Sequence, residues 1–173
     1  EAADKFYKSF RVEQYIKDVS TEEDQPIISM SSQLSGAGYG NNSYGKASLS
    51  YLALKDMLGD DLFKKSLHAY MENWNGKHPI PWDYFNSMNS GSGKNLNWFF
   101  NNWFFTNNYI DISVKSIDGN VVSVSNTGGF AIPFDVNIVY ADNSKETIHQ
   151  SPVVWETNQK LASIKLKNKK QIK

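Results

Sequence analysis

The hydrophobic pattern of this chain changes period once, near Tyr109, and that change decides what the chain can fold into. Before it, apolar residues recur at the spacing of one face of a helix; after it they alternate, as in a half-buried strand. No internal repeat or low-complexity tract interrupts either half. The expected fold is α+β with the two kinds of element segregated. An all-α helical subdomain occupies residues 1–108, and a small antiparallel β-sandwich occupies residues 109–173.

Within the first half, Phe6, Phe10 and Ile16 recur at near-helical spacing, so residues 3–19 are predicted to form a helix with these side chains on its apolar face. Residues 20–43 hold Pro26, several glycines and many Ser and Asn, and read as a long, mostly irregular connection. Ser43 is the expected N-cap of a helix over 44–58 that stops at Gly59. Tyr44, Ala47, Tyr51, Leu54 and Leu58 form one stripe of that helix, and Leu49, Leu52, Ala53 and Met57 lie elsewhere, which predicts a central helix. Asp60 or Asp61 then caps an amphipathic helix with Phe63, Leu67, Tyr70, Met71 and Trp74 on one face, and a short helix follows over 82–88.

Residues 96–105 carry Trp98, Phe99, Phe100, Trp103, Phe104 and Phe105 all around the helix axis, the mark of a buried helix. Exposing these rings is expensive. Each removes ~150–250 Å² from water on burial, about 4–6 kcal/mol at ~25 cal/mol per Å². Core packing is therefore expected, against the helices and the sandwich, in preference to a carbohydrate-stacking or membrane-contact platform.

In the second half, Ile110, Ile112 and Val114 read as a strand, Asp118-Gly119 as a hairpin turn, and Val122 with Val124 as the returning strand. Ile132, Phe134, Val136, Ile138 and Tyr140 occupy every second position and predict the clearest strand. Shorter strands are expected at 146–149, 153–155 and 162–166.

Charge and composition exclude several functions. Lys plus Arg and Asp plus Glu both number 18, so no basic excess favours nucleic acid or anionic lipid. Cysteine is absent, which excludes disulfides and thiol chemistry but leaves the compartment open. No run of 18 apolar residues provides a membrane span. His68, His78 and His149 are too scattered for the H-E-x-x-H pattern of zinc proteases, and read as exposed or turn residues. Gly36-Ala37-Gly38-Tyr39-Gly40 follows no strand and lacks the Gly-Lys-Ser/Thr ending of a phosphate loop. No G-x-S-x-G elbow and no evident carboxylate pair is present.

A set of short motifs in residues 44–105 points further. Tyr44-Gly45-Lys46-Ala47 is followed by Leu52, Leu58-Gly59-Asp60-Asp61-Leu62-Phe63, Leu67 and Tyr70. Next come Trp82-Asp83-Tyr84-Phe85, Met88, Ser92-Gly93-Lys94-Asn95-Leu96, Phe99 and Trp103. In order and spacing this series resembles the aminopeptidase N-type zinc metallopeptidases, the gluzincins, in which Y-x-K-G opens a helix and L-G-x-x-x-F follows. Ala47 stands where glycine is commoner, and Asn95 where aspartate is commoner.

The resemblance implies that Tyr44 stabilises the oxyanion of a zinc-bound tetrahedral intermediate. A neutral phenol is a suitable donor, and as a first-turn residue Tyr44 would tilt past its helix into a cleft. Helical spacing alone gives the other reading, a packed tyrosine in the stripe with Ala47 and Tyr51. Tyr39 could border the same cleft and is left unassigned, and Lys46 is expected to form a salt bridge or meet solvent.

The resemblance also implies that the zinc ligands and the groups gripping the substrate's free amine precede residue 1. The chain would be the end of a catalytic region followed by an immunoglobulin-like β-sandwich, inactive alone, with the N-terminal catalytic lobe as its partner and a peptide as the substrate of the whole enzyme. The competing expectation is a non-catalytic protein-interaction or scaffold module. A glycan-binding sandwich would need exposed rings at Phe130 and Trp155, whose expected place is the core.

Overall fold

The computed structural model describes residues 1–168 and 170–173, with the side chain of Asp18 left aside. The chain divides into two compact units, Glu1–Asn107 and Asn108–Lys173. Helices make up the first and antiparallel strands the second, as the change of period requires.

The first helix is α1 (Ala2–Tyr7) and α2 (Gln14–Ser20) joined without a break by a wide π-type turn, Lys8–Glu13. Its expected face is not its buried one. Phe6, Phe10 and Ile16 are exposed, Phe6 and Phe10 stack on each other at 4.9 Å, and the side chain packed inside is Tyr15. Amphipathic spacing identified an apolar face without showing that this unit supplies its cover.

Residues 20–43 are more ordered than their composition predicts. A 3₁₀ turn, Ser31–Gln33, leads to α3 (Gly36–Gly40), a second π-type turn, Asn41–Gly45, and α4 (Lys46–Leu58) in one continuous run. The glycine-rich stretch is helical because Ser35, not Ser43, caps it: Gly38 N donates to Ser35 Oγ at 2.9 Å. The buried side of α4 is Lys46, Ser50, Ala53 and Leu54, and Tyr51 and Leu52 are exposed. The helix is thus less central than its apolar content implied.

Gly59 turns the chain into α5 (Asp60–Trp74) with φ of +77°, a conformation that glycine alone adopts readily. Because Gly59 holds the N-cap position, Asp60 does not cap as expected. Its carboxylate binds Lys55 Nζ at 2.8 Å and also Lys64 Nζ. Hydrogen bonds from Lys55 and then Lys64 hold the Asp60 carboxyl at about 2, below the ordinary 3.8. A carboxyl depressed in the fold contributes stability above 3.8 that is lost as pH falls through about 2. The site is half exposed, so the contribution is small and salt-sensitive. An NMR titration should place the Asp60 midpoint near 2 at low salt, and 1 M salt should move it upward as screening shortens to ~3 Å.

Helix α6 (Pro81–Ser92) is longer than predicted, with Asp83 accepting from the Ile80 N–H at 2.9 Å at its start. It lies against α5 through Gly91, where a β-carbon would stand 2.7 Å from Ser66 Cα and 3.2 Å from Ala69 Cβ. Gly91→Ala therefore gains about 1 kcal/mol of helix propensity but meets backbone, an overpacking cost of roughly 1–3 kcal/mol. A net loss of up to about 2 kcal/mol is expected in urea unfolding.

Helix α7 (Asn97–Phe104) buries Phe99, Phe100, Trp103 and Phe104, whereas Phe105, expected in the same core, is exposed just past its end. Phe85 stacks on Phe100 at 4.5 Å and meets Phe104 edge-on at 5.0 Å, and Tyr84 meets Phe100 at 5.8 Å. The Ile28 N–H donates to the Phe104 carbonyl at 3.0 Å, which ties the segment before α3 to the end of this aromatic core.

Among the described residues of the second unit, strands form a three-stranded sheet, β1-β2-β5, and a two-stranded sheet, β3-β4. The hairpin β1 (Ile112–Asp118) and β2 (Val121–Asn126) turns at Asp118-Gly119 as expected, with a register shift between Val114 and Ser116. Val122 pairs with Ile164 and Val124 with Ala162 of β5 (Leu161–Lys165), and all four are buried. Strand β3 (Phe134–Val139) starts after Pro133, which has no N–H to give a ladder, and pairs with β4 (Lys145–Gln150).

Residues 153–155 are not a strand. Pro152–Trp155 is a 3₁₀ turn that buries the Trp155 ring completely and lets its Nε1 donate to the Ile132 carbonyl at 2.9 Å. Burial of one large ring overrides the β propensity of Val-Val-Trp. Phe130 and Trp155 are both buried, which removes the exposed rings a glycan platform would need.

Candidate active site

Tyr44 sits in the π-type turn Asn41–Gly45, well inside a helical run and not in its first turn. Its ring is 59% exposed, while Asn41, Asn42 and Gly45 in the same turn and Lys46 just after it are buried. No hydrogen bond among the described residues engages the Tyr44 hydroxyl. The packed-stripe alternative therefore fails: Tyr44 faces outward, carried there by the wide turn and not by a first-turn tilt.

The turn is fastened from beneath. Asp24 accepts from Lys46 Nζ at 2.8 Å through Oδ2 and from Asn41 Nδ2 at 3.4 Å through Oδ1. Asn41 Oδ1 in turn accepts from the Lys46 N–H at 3.3 Å, and Asn42 Nδ2 donates to the Pro26 carbonyl at 3.0 Å. The Lys46 ammonium lies 6.0 Å from the centre of the buried Tyr15 ring. Gly45 leaves the necessary room, because a β-carbon there would stand 2.6 Å from Asn41 Oδ1. One layer further, Gln25 Oε1 accepts from the Ser35 N–H at 2.8 Å and so anchors the cap of α3.

Lys46 thus forms the ion pair the sequence allowed it, but inside the protein, with 0% of the residue exposed. Burial lowers its tendency to hold a proton, and the Asp24 carboxylate opposes that. Burial, with the Asp24 charge adding to it, raises the Tyr15 phenol above its ordinary value. Tyr39 is exposed on α3 five positions before Tyr44, on a helix and not a loop. Asp24, Asn41 and Asn42 escaped sequence reasoning, since they lie in a stretch without periodicity. The only available signal was Lys46 itself, a charge two residues past the candidate tyrosine.

The zinc implied by the motif series does not fit the residues present. Among the described residues no three His, Asp or Glu side chains come together as a cation would need. His68 and His78 are exposed, and His149 Nδ1 lies 2.7 Å from Asp135 Oδ1 on the sheet β3-β4. No helix formed by the described residues is long and apolar enough to cross a membrane.

The Peptidase family M1 domain matches residues 2–103, which takes in α1 to α6, nearly all of α7 and the whole surround of Tyr44. The probable aminopeptidase 2 of Sulfurisphaera tokodaii is 23% identical over 116 residues, covering 67% of this chain and 14% of that protein. Aminopeptidase N of Lactococcus lactis subsp. lactis is 29% identical over 79 residues, 46% of this chain and 9% of that protein. The chain therefore spans well under a fifth of the length of either relative. Among solved structures, Legionella pneumophila aminopeptidase A, determined in complex with aspartic acid, shares the fold over 78% of this chain and 16% of its own. That likeness has a TM-score of 0.51 at 14% identity. With its family profile spanning more than half of the residues and aminopeptidases as its relatives, this chain belongs to the peptidase M1 family.

Proposed function

We propose that this chain is part of a longer zinc aminopeptidase that hydrolyses peptides from their N-terminus, and that it supplies the oxyanion donor, Tyr44. The observation that carries this reading is an outward phenol, 59% exposed, on a turn in which Asn41, Asn42 and Gly45 are buried. A residue kept for packing would be found the other way round.

Attack on a peptide carbonyl places negative charge on its oxygen in the transition state. A neutral O–H held in advance at that position strengthens its hydrogen bond as the charge grows, a contribution of roughly 3–4 kcal/mol to the barrier. The ligands of the zinc, and the groups that hold the substrate's amine, belong to parts of the protein outside these residues, so the 173 residues alone are inactive.

The exposed Phe6, Phe10 and Ile16 face, aligned on the first helix, supports docking against that catalytic lobe. Residues 1–108 are then the end of the catalytic region. Residues 109–173 act as an immunoglobulin-like sandwich with a structural role, a reading supported by their paired antiparallel strands and buried Trp155.

The test is kcat of the full-length protein carrying Tyr44→Phe, with zinc content and fold checked. A large loss supports the assignment, and near wild-type turnover removes it. A parent protein lacking H-E-x-x-H would leave only a contact role for the helices.

A further inference from the structure

We infer that the buried Lys46–Asp24 pair is a positioning device for Tyr44, an assignment that rests on the reading of Tyr44 as oxyanion donor. Lys46 cannot be a catalytic residue here. With 0% of its surface exposed it touches neither solvent nor substrate, and its ammonium is engaged by Asp24 at 2.8 Å.

An ion pair is a poor way to fill a core. Removing two charges from water costs more than their attraction reliably returns, and apolar residues of similar volume commonly do as well or better for stability. What such a pair adds is geometry, because its partners must meet at hydrogen-bond distance and angle.

The placement of this pair shows which geometry it sets. One carboxylate takes hold of both ends of the turn: Oδ1 receives Asn41 Nδ2 at its start, and Oδ2 receives Lys46 Nζ just past its end. Asn41 also accepts from the Lys46 N–H, which closes the loop of contacts around residues 41–46. Two residues on from Asp24, the Pro26 carbonyl takes Asn42, and the Ile28 N–H is bonded to Phe104 at the edge of the aromatic core. The turn is therefore tied to the aromatic core through the segment 24–28. Within this clamp Tyr44 is the large side chain left facing outward, beside the exposed Ser43. Its backbone is fixed on both sides while its hydroxyl remains available.

Displacements on the order of 1 Å at a reacting group cost up to ~100-fold in rate. Loosening the clamp should accordingly lower kcat and spare KM, because Tyr44 acts on charge that exists only in the transition state.

The experiment is steady-state kinetics of the full-length aminopeptidase on an aminoacyl p-nitroanilide. The paired replacement Lys46→Met with Asp24→Leu leaves no unpaired charge behind. Asp24→Glu keeps the charge and lengthens the arm, which provides a folded variant if the paired one unfolds.

The expected result is a kcat lower by roughly 10- to 100-fold with KM and thermal midpoint nearly unchanged. In a Tyr44→Phe background, the same replacements should lower kcat no further. Wild-type kcat in a folded variant of either kind overturns the inference, as does a full additional loss in the Tyr44→Phe background. If Tyr44→Phe by itself keeps wild-type kcat, the oxyanion reading fails first. If it is slow while the pair proves dispensable, only the positioning role is lost.

Discussion

Tyr44→Phe in the full-length enzyme should lower kcat by about 10²–10³-fold, with KM nearly unchanged and stability within about 0.5 kcal/mol. The change removes a single oxygen from a side chain that is 59% exposed and forms no hydrogen bond among the described residues, so the fold has little to lose. On the proposed role the chemistry has much to lose, because the hydroxyl would be needed only once the carbonyl oxygen has become anionic. An interaction made in the transition state and absent from the ground state appears in kcat and kcat/KM equally. Three measurements on one preparation decide the matter: turnover, KM and thermal midpoint. A variant that loses turnover only because it unfolds, or that raises KM at constant kcat, contradicts the assigned role.

The parts of the fold legible in the sequence are those where one periodic signal had no competitor. The switch from helical to alternating spacing near Tyr109 separates the helices from the strands, and Asp118-Gly119 marks the hairpin between β1 and β2. The aromatic run reads as a buried helix, and α7 buries Phe99, Phe100, Trp103 and Phe104, with Phe105 left exposed at its end. Signals failed where tertiary contacts outweighed composition. Residues 36–40 look like loop because glycine disfavours helix, yet the Ser35 cap and its Gln25 anchor hold them helical. Residues 153–155 look like strand, yet burying Trp155 puts them in a 3₁₀ turn.

The surroundings of Tyr44 show the same limit more sharply. Its motif named the residue, but helical spacing placed it in a stripe with Ala47, Tyr51 and Leu54, of which only Leu54 lies on the fully buried side of α4. The wide turn Asn41–Gly45 shifts the phase of the helix just before α4. This rotates Lys46 inward and leaves Tyr44 outside, and a regular wheel cannot anticipate that. Asp24 was invisible for another reason: its partner lies 22 residues away, and no local pattern encodes a contact at that separation. Likewise Phe6, Phe10 and Ile16 form a true apolar stripe whose cover is not in the first unit, so periodicity gave the face but not the contact.

Phe100→Ala should cost the protein about 3–5 kcal/mol, the largest stability change expected for a single substitution in the helical unit. Phe100 is 2% exposed and lies where the rings of α6 and α7 converge. It stacks on Phe85 at 4.5 Å and meets Tyr84, Phe99 and Phe104 edge-on at 5.8–5.9 Å. Truncation removes the ring's own transfer energy and leaves neighbours that cannot close the gap, since each is held by further rings. Trp82→Ala is the control. That ring is 52% exposed, touches Phe105 at 6.2 Å, and should change stability by less than about 1 kcal/mol although it is larger. Urea unfolding followed by tryptophan fluorescence in Phe100→Ala, and by circular dichroism in both variants, separates the two. Similar losses for the two substitutions would mean that residue size and not convergence of rings sets the cost, and the aromatic cluster would no longer be the centre of this unit's stability.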